Sequence, residues 1–355
     1  MTRLEAALIA FLVAALAIFV LRPVAEAAGL LDRPGGRKHH QGSIPLIGGV
    51  CMYLALLIAL PLLTPNIYGQ TPLLIAATLL VVVGAIDDRF ELAPRVRLVA
   101  QATAGMIIVL GADLEARSLG NIFFMGDVNL GLLSLPFTLL VVLTVVNAFN
   151  FLDGMDGLTG GVAFSSFLTA AIAASVASSD TGLSLACIGI AIIAGFLIFN
   201  FPTTRNREVR VFMGDAGATL LGFLVVWLGL RISNGPDAFL PAVVALWLAA
   251  LPVSDFFNCF VRRVRRGQSP MQPDCEHLHH HLRRAGLTDR QIMLTLTFVS
   301  LALGLGAVLA HHAGVPDGLL FIAFLGLCLS QNWVVRRLPA FGSSRAAAQK
   351  ATINN

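Results

Sequence analysis

The chain has 355 residues, 57% of them hydrophobic and only 12% charged, with a formal net charge of +4 and a mean hydropathy of +0.82. A soluble globular domain carries about 25% charged residues, so the composition excludes one. It points to an all-α polytopic membrane protein whose surroundings are the lipid bilayer, with no nucleic-acid partner.

Runs of about 17–25 apolar residues predict eleven transmembrane helices near 4–21, 46–63, 72–86, 95–110, 134–150, 158–176, 181–200, 214–232, 238–259, 291–311 and 316–334. The first is expected to stay in the mature chain, because it lacks a small-residue cleavage pattern and another loop and span follow it. Residues 1–338 form a single membrane domain. Residues 339–355 are small and polar and read as a flexible tail. The loops 22–45, 87–97, 201–213 and 260–290, together with the tail from 335, hold 21 of the 24 Lys and Arg residues. The positive-inside rule then places the N-terminus outside and the C-terminus in the cytoplasm. That bias by itself accounts for Arg336, Arg337 and the tail. Of the five cysteines, Cys51, Cys187, Cys259 and Cys328 fall in predicted spans and no CxxC pair exists, so neither a disulfide framework nor a thiolate metal site is expected.

In chain order, the first cytoplasmic loop reads DRPGGRKHHQGSIPLIGG from Asp32 to Gly49. Its Lys38, His40 and glycines suggest a phosphate contact or lid. Asp87 and Asp88 close the third span. Helical neighbours point about 100° apart, so the two are expected to do different jobs, unless they merely cap a helix end against Arg95 or Arg97. The outward loop 118–131 alternates weakly and suggests a short hairpin. NAFNFLDGMDGL from Asn147 to Leu158 joins two spans with hardly a loop. Asp153 and Asp156 are three apart and share a face if the backbone stays helical, and Gly154 and Gly157 permit close approach to a ligand. Asp215 opens the eighth span in VFMGDAG, where a carboxylate can also cap a helix N-terminus. Acids beside a bilayer are costly unless they act on something. Five on one side need a cation to coexist, and carboxylates without Cys suit Mg²⁺. RRVRRGQSP from Arg262 and HLHHH from His277 then offer Arg and His donors for phosphate, with zinc at His277 and His280 or His281 as the competing reading.

These five ordered motifs, spanning about Asp32 to Gly286, resemble the polyprenyl-phosphate N-acetylhexosamine-1-phosphate transferase family, glycosyltransferase family 4, and most closely its bacterial undecaprenyl-phosphate GlcNAc-1-phosphate branch. The resemblance implies an eleven-span fold with a cytoplasmic cleft in the bacterial inner membrane. It also implies a Mg²⁺-dependent transfer, with Mn²⁺ able to substitute, of GlcNAc-1-phosphate from UDP-GlcNAc to undecaprenyl phosphate, releasing UMP. Such a step initiates O-antigen or related envelope glycans. By the same resemblance Asp215 and Asp88 hold the metal, and Asp87 and Asp88 orient or deprotonate the lipid phosphate. Asp153 and Asp156 act in the cleft beside Asn150. Phe212 stacks on uracil, Asn200 faces substrate, and Arg265, His277, His279 and His280 bind diphosphate or sugar. Met271, Cys275, Ala218 and His281 depart from the family's usual residues and bear on the sugar rather than the reaction. UDP-GalNAc, UDP-QuiNAc or UDP-MurNAc-pentapeptide donors stay open, as does a secondary transporter, which would place its acids near the bilayer midplane. Relatives of this shape can form homodimers, though no seam in the sequence shows one.

Overall fold

The computed structural model describes residues 2–32, 43–63, 69–203, 209–267 and 277–337, the side chains of 332–337 excepted. Its helices are α1 (Arg3–Ala28), α2 (Gly48–Leu63), α3 (Gln70–Phe90), α4 (Pro94–Ala112), α5 (Ser134–Leu152), α6 (Leu158–Val176), α7 (Asp180–Asn200), α8 (Gly214–Asn234), α9 (Ala242–Trp247), α10 (Ala250–Arg265), α11 (Leu278–Arg284), α12 (Asp289–His312) and α13 (Asp317–Arg337). Among the described residues, seven helical segments have the length and apolarity to cross a membrane: α1, α4, α5 with its preceding turn, α6, α7, α8 and α12. The chain is an all-α polytopic membrane protein. Two shorter apolar helices, α2 and residues 317–331 of α13, lie beside them.

The bundle is organised around α8. Its apolar window is 94% buried, against 22% for α1, so α8 is the axis and α1 lies at the periphery. Small residues at its start, Ala216, Gly217 and Ala218, let neighbouring backbones approach closely, and α2, α3 and α5 all pack on it. The chain of contacts then runs outward from α3 to α4, from α7 to α1 and α6, and from α6 to α12.

Twenty-one residues of α8 cover about 30 Å at 1.5 Å each, which separates two polar ends. At the far end Asn234 Oδ1 accepts the backbone N–H groups of Arg117 at 3.0 Å and Ser118 at 3.2 Å, and Arg3 pairs with Asp180 at 2.6 Å. The expected hairpin is there in minimal form: Ser118 and Asn129 make one antiparallel bridge, flanked by Leu119 N–H to Val128 O and Val128 N–H to Gly120 O, each 3.0 Å.

The ninth expected span, 238–259, is not one helix. It breaks at Leu248 and Ala249 into α9 and α10, and α10 runs on to Arg265. α10 is amphipathic with its polar face inward: Ser254, Asp255, Asn258 and Arg263 are buried, while Phe257, Phe260 and Val264 are exposed. A helix between lipid and a polar protein interior has this inverted pattern. Its basic last turn, Arg262, Arg263 and Arg265, also suits the negative end of the helix dipole.

Candidate active site

The N-terminus of α8 is bare of its own cap: the residue before it, Met213, makes no side-chain cap bond. Asp88, reaching across from α3, supplies the acceptors instead, with Oδ1 2.7 Å from Asp215 N and Oδ2 3.3 Å from Ala216 N. The capping that was the alternative to a metal role for Asp215 is thus supplied by Asp88 instead. Gly214 is required between them. Its φ is +72°, and a Cβ there would lie 2.4 Å from Asp88 Oδ2, so a side chain would both strain the backbone and evict the cap.

Asp215 is left free of capping duty, and its Oδ1 accepts from Asn150 Nδ2 at 2.5 Å. Arg97 of α4 lies 4.0 Å from Asp215 Oδ2 and 3.2 Å from Asp87 Oδ2, while Asp87 Oδ1 accepts from Leu92 N at 2.6 Å. Adjacent in sequence, Asp87 and Asp88 do point apart, one toward α4 and the other toward α8. Between α3, α4 and α8 a small recess is lined by Gly84, Asp87, Arg97, Gln101, Asp215 and Thr219. Gln101 Oε1 in turn accepts from Asn147 Nδ2 at 2.6 Å, which brings the start of the central motif to the same place.

The central motif corrects one expectation. α5 stops at Leu152, Asp153 takes a non-helical ψ of 54°, and α6 starts only at Leu158, so Asp153 and Asp156 sit on a turn and share no helical face. They face different partners. Asp156 forms an ion pair with Arg210, whose guanidinium lies 4.9 Å over the Phe212 ring. Burial first, and the Asp215 charge second, push the Asp153 carboxyl up to about 7, although part of its residue surface is still solvent-exposed.

Asn200 is buried and spends its amide on backbone: Oδ1 accepts from Gly157 N at 2.7 Å and Nδ2 donates to Val211 O at 2.9 Å. It thereby joins the central turn to the strand-like segment before α8. Phe212 in that segment donates from its N–H to Pro45 O at 2.9 Å, and Gly48 N and Gly49 N donate to Phe212 O and Met213 O at 3.0 Å each. The glycine pair of the first loop is therefore occupied in holding two motifs together, not offering its N–H groups to a phosphate. Lys38 and His40 of that loop lie outside the described residues, as do Met271 and Cys275.

At the C-terminal side of the site, Arg265 is exposed. The buried arginine is its neighbour Arg263, stacked 5.3 Å over Phe151. His277, at the start of HLHHH, lies parallel to His279 with centroids 5.9 Å apart, and His279 is 4.1 Å from His280. His279 is 1% exposed and neither ring nitrogen has a hydrogen-bond partner among the described residues. Burial, then the neighbouring His280 and His277, hold its pKa well below the usual histidine value. His280 is lowered for the same first cause.

Four residues without an individual site role in the sequence reading lie here: Arg97, named only as a possible partner of Asp87 and Asp88, Arg210, Arg263 of the basic run, and the buried Asp255 of α10. The first two neutralise named acids. Asp255 did carry a signal, an acid inside an apolar run, which in a membrane protein is a functional hypothesis by default. Three of the five site acids have compensation built in: Asp87 by Arg97, Asp88 by the α8 N-terminus, Asp156 by Arg210. Asp215 shares Arg97 with Asp87 at the longer distance of 4.0 Å, and its charge is one of those that raise the Asp153 pKa. The donor set around Asp215, Asp88 and Asn150 is all oxygen apart from amide nitrogen, without Cys or His, and fits a hard cation such as Mg²⁺ rather than zinc.

A profile of Glycosyl transferase family 4 matches residues 71–233, the stretch from α3 through α8 that carries all five acids. Over 336 residues the chain is 37% identical to the undecaprenyl-phosphate alpha-N-acetylglucosaminyl 1-phosphate transferase of Escherichia coli O157:H7, covering 92% of this chain and 91% of that one. The protein of the same name from Salmonella typhi is 37% identical over 345 residues, 95% of this chain and 94% of its own. That from Pasteurella multocida is 36% identical over 333 residues, 93% and 92% of the two chains. With the acid cluster, the all-helical membrane fold and likeness along nearly the whole length agreeing, the chain belongs to the polyprenyl-phosphate N-acetylhexosamine-1-phosphate transferases of glycosyl transferase family 4.

Proposed function

We propose that this protein transfers GlcNAc-1-phosphate from UDP-GlcNAc to undecaprenyl phosphate, releasing UMP and leaving undecaprenyl-diphospho-GlcNAc, an initiating step for O-antigen or a related envelope glycan. The observation that carries the reading is the meeting of Asp87, Asp88, Asn150 and Asp215 at one end of a helix about 30 Å long, inside a bundle of apolar helices. A water-soluble anion and a lipid phosphate can meet only where bilayer gives way to water. The loop charges favour the cytoplasmic face of the bacterial inner membrane, with the N-terminus outside.

In this reading a phosphate oxygen of the lipid attacks the phosphorus bonded to the sugar, the bond to the UMP oxygen breaks, and UMP leaves with the electron pair. The second pKa of a phosphate monoester is about 6, so the acceptor is already largely dianionic at neutral pH. Positioning and charge neutralisation therefore outweigh deprotonation. Asp215 and Asp88 would hold Mg²⁺, which when bound neutralises charge developing on the diphosphate. Asn150 fixes the Asp215 carboxylate, and Arg97 pairs with Asp87 beside it and offsets part of the charge there. Asp156, Arg210 and Phe212 form one unit that suits the uridine end, with the Phe212 ring offered for stacking on the base. Asp153, with its raised pKa, is a group able to hold a proton near neutrality. A direct displacement needs no covalent enzyme intermediate.

UMP release by purified protein from UDP-GlcNAc, with and without undecaprenyl phosphate and with EDTA, tests this. Release that requires both lipid and divalent cation is expected. Product only from UDP-GalNAc or UDP-MurNAc-pentapeptide would overturn the sugar, labelled phospho-sugar trapped on protein without acceptor would overturn the direct displacement, and uptake of UDP-sugar into sealed vesicles without lipid product would overturn the reaction.

A further inference from the structure

Asp255 belongs to none of the five motifs, yet its carboxylate meets three partners on other segments of the chain. It sits on the inward polar face of α10 at 4% exposure. Its Oδ2 lies 2.8 Å from His277 Nδ1, and its Oδ1 accepts from Leu278 N at 3.0 Å and Gln331 Nε2 at 3.2 Å. Leu278 N is the first N–H of α11, whose own preceding residue gives no side-chain cap. Gln331 belongs to α13 and its Oε1 accepts from Asn258 Nδ2 at 2.9 Å, one turn along from Asp255. The start of HLHHH is thereby bolted to two helices.

An ionised carboxylate only accepts, so the bond at 2.8 Å makes Nδ1 the protonated nitrogen of His277 and fixes the plane of the ring. That plane matters because of what lies on it. The His277 ring is stacked on Phe151 at 5.6 Å and 25° and on His279 at 5.9 Å and 5°. Phe151 lies between Asn150, which holds Asp215, and the turn that carries Asp153 and Asp156. His279 lies against that turn: a Cβ on Gly154 would be 2.4 Å from its Nε2. The contacts therefore run without a break from α13 through Asp255 and His277 to the Asp153–Asp156 turn.

We infer that Asp255 is a positioning residue which, through His277, sets the HLHHH segment against the Asp153–Asp156 turn in the geometry needed for turnover. Asp255, Cys259 and His277 also bring metal-ligating atoms within 4.8 Å of one another. However, Nδ1 already donates to Asp255 and an Arg262 N–H lies 3.0 Å from the thiol. The ring nitrogen and the thiol are both engaged, and the group is a clamp rather than a metal centre.

The catalytic half of this inference rests on the transferase reading, so the experiment has an arm that does not. Asp255→Asn, Asp255→Glu, His277→Ala and the double variant Asp255→Asn/His277→Ala are purified and compared for UMP release. Asp255→Asn is expected to lower kcat at least tenfold with a smaller change in KM for UDP-GlcNAc, and Asp255→Glu, which keeps the carboxylate, to recover part of it. The double variant is expected to be no slower than His277→Ala alone. Wild-type turnover by Asp255→Asn, or losses that multiply in the double variant, would overturn the inference, since Asp255 would then act independently of His277. The second arm alkylates each protein with N-ethylmaleimide and follows Cys259, buried beside His277 at 3.4 Å, by peptide mass. Labelling at Cys259 is expected to rise at least fivefold in Asp255→Asn while Cys51, buried in α2, is unchanged. Equal labelling of Cys259 would sink the clamp. If wild-type protein turns over no UDP-sugar, the transferase reading fails while this labelling still decides the clamp.

Discussion

The two ends of α8 carry similar inventories and treat them oppositely. At the far end Arg117 pairs with Asp113 and Glu115, with Arg117 52% and Asp113 65% exposed, and even the buried Arg231, 5% exposed, reaches out to an Asp237 that is 57% exposed. At the near end Asp87 is 3% exposed, Asp215 35%, and three carboxylates, Asp87, Asp88 and Asp215, crowd around Arg97 and a helix N-terminus. Charges in water at a membrane surface cost little and hold little. The same charges withdrawn into the bundle are expensive, and a protein retains them where they act on a ligand.

Substitutions can break that comparison. The largest effect is expected for Asp215→Asn, which removes a charge that caps no helix and whose folded contacts are Asn150 and Arg97, the latter at 4.0 Å: activity should fall by about 100-fold or more, as when one preorganised electrostatic contact is lost, and added Mg²⁺ should not restore it. Near-normal turnover would remove Asp215 from the metal site. Next comes Gly214→Ala, which costs about 1–3 kcal/mol in backbone strain alone and also displaces the Asp88 cap, so both activity and melting temperature should drop together. Arg97→Gln leaves the buried Asp87 without its cation, so a loss of about 10-fold to 100-fold in kcat is expected together with a loss of stability of up to about 3–5 kcal/mol.

A subtler test concerns His279. Its pKa is lowered in the folded protein, so the folded form disfavours the proton that the unfolded chain binds below about 6.5. The stability is complete above that value and falls as pH drops below it, by up to about 1.4 kcal/mol per pH unit. Melting temperature should therefore fall between pH 7.5 and 5.5, and His279→Phe should flatten the curve. The smallest effect is expected at the far end. Arg117→Ala should shift stability by no more than about 1 kcal/mol and leave UMP release unchanged; a large loss of turnover there would erase the distinction between the ends.

Much of this was legible in the residues. Hydropathy placed most helices within a few residues, and the motifs named Asp87, Asp88, Asp153, Asp156 and Asp215 before any geometry. Less readable was what each acid does. Asp215 reads as a metal ligand, with capping of α8 as the alternative, and Asp88 as a metal ligand too, but that Asp88 caps α8 from another helix is a contact between residues 127 positions apart, which no local pattern encodes. Arg265 drew attention over Arg263 because both lie in one basic run, and only the packed face of α10 buries one and exposes the other. The ninth span read as continuous because mean hydropathy does not register a break at Leu248 and Ala249, nor a polar face turned inward.

By itself, then, the sequence determined the solvent, the helical class, the order of motifs and the family, because apolar run length, charge bias and motif spacing are properties of neighbouring residues along the chain. Only the tertiary structure decided which acids are compensated, that Asn200 and the Gly48–Gly49 pair are spent on backbone, and that Asp255 holds His277. Those outcomes depend on which buried charge or amide meets which partner, and in a bundle of helices that is settled by packing between segments far apart in the chain.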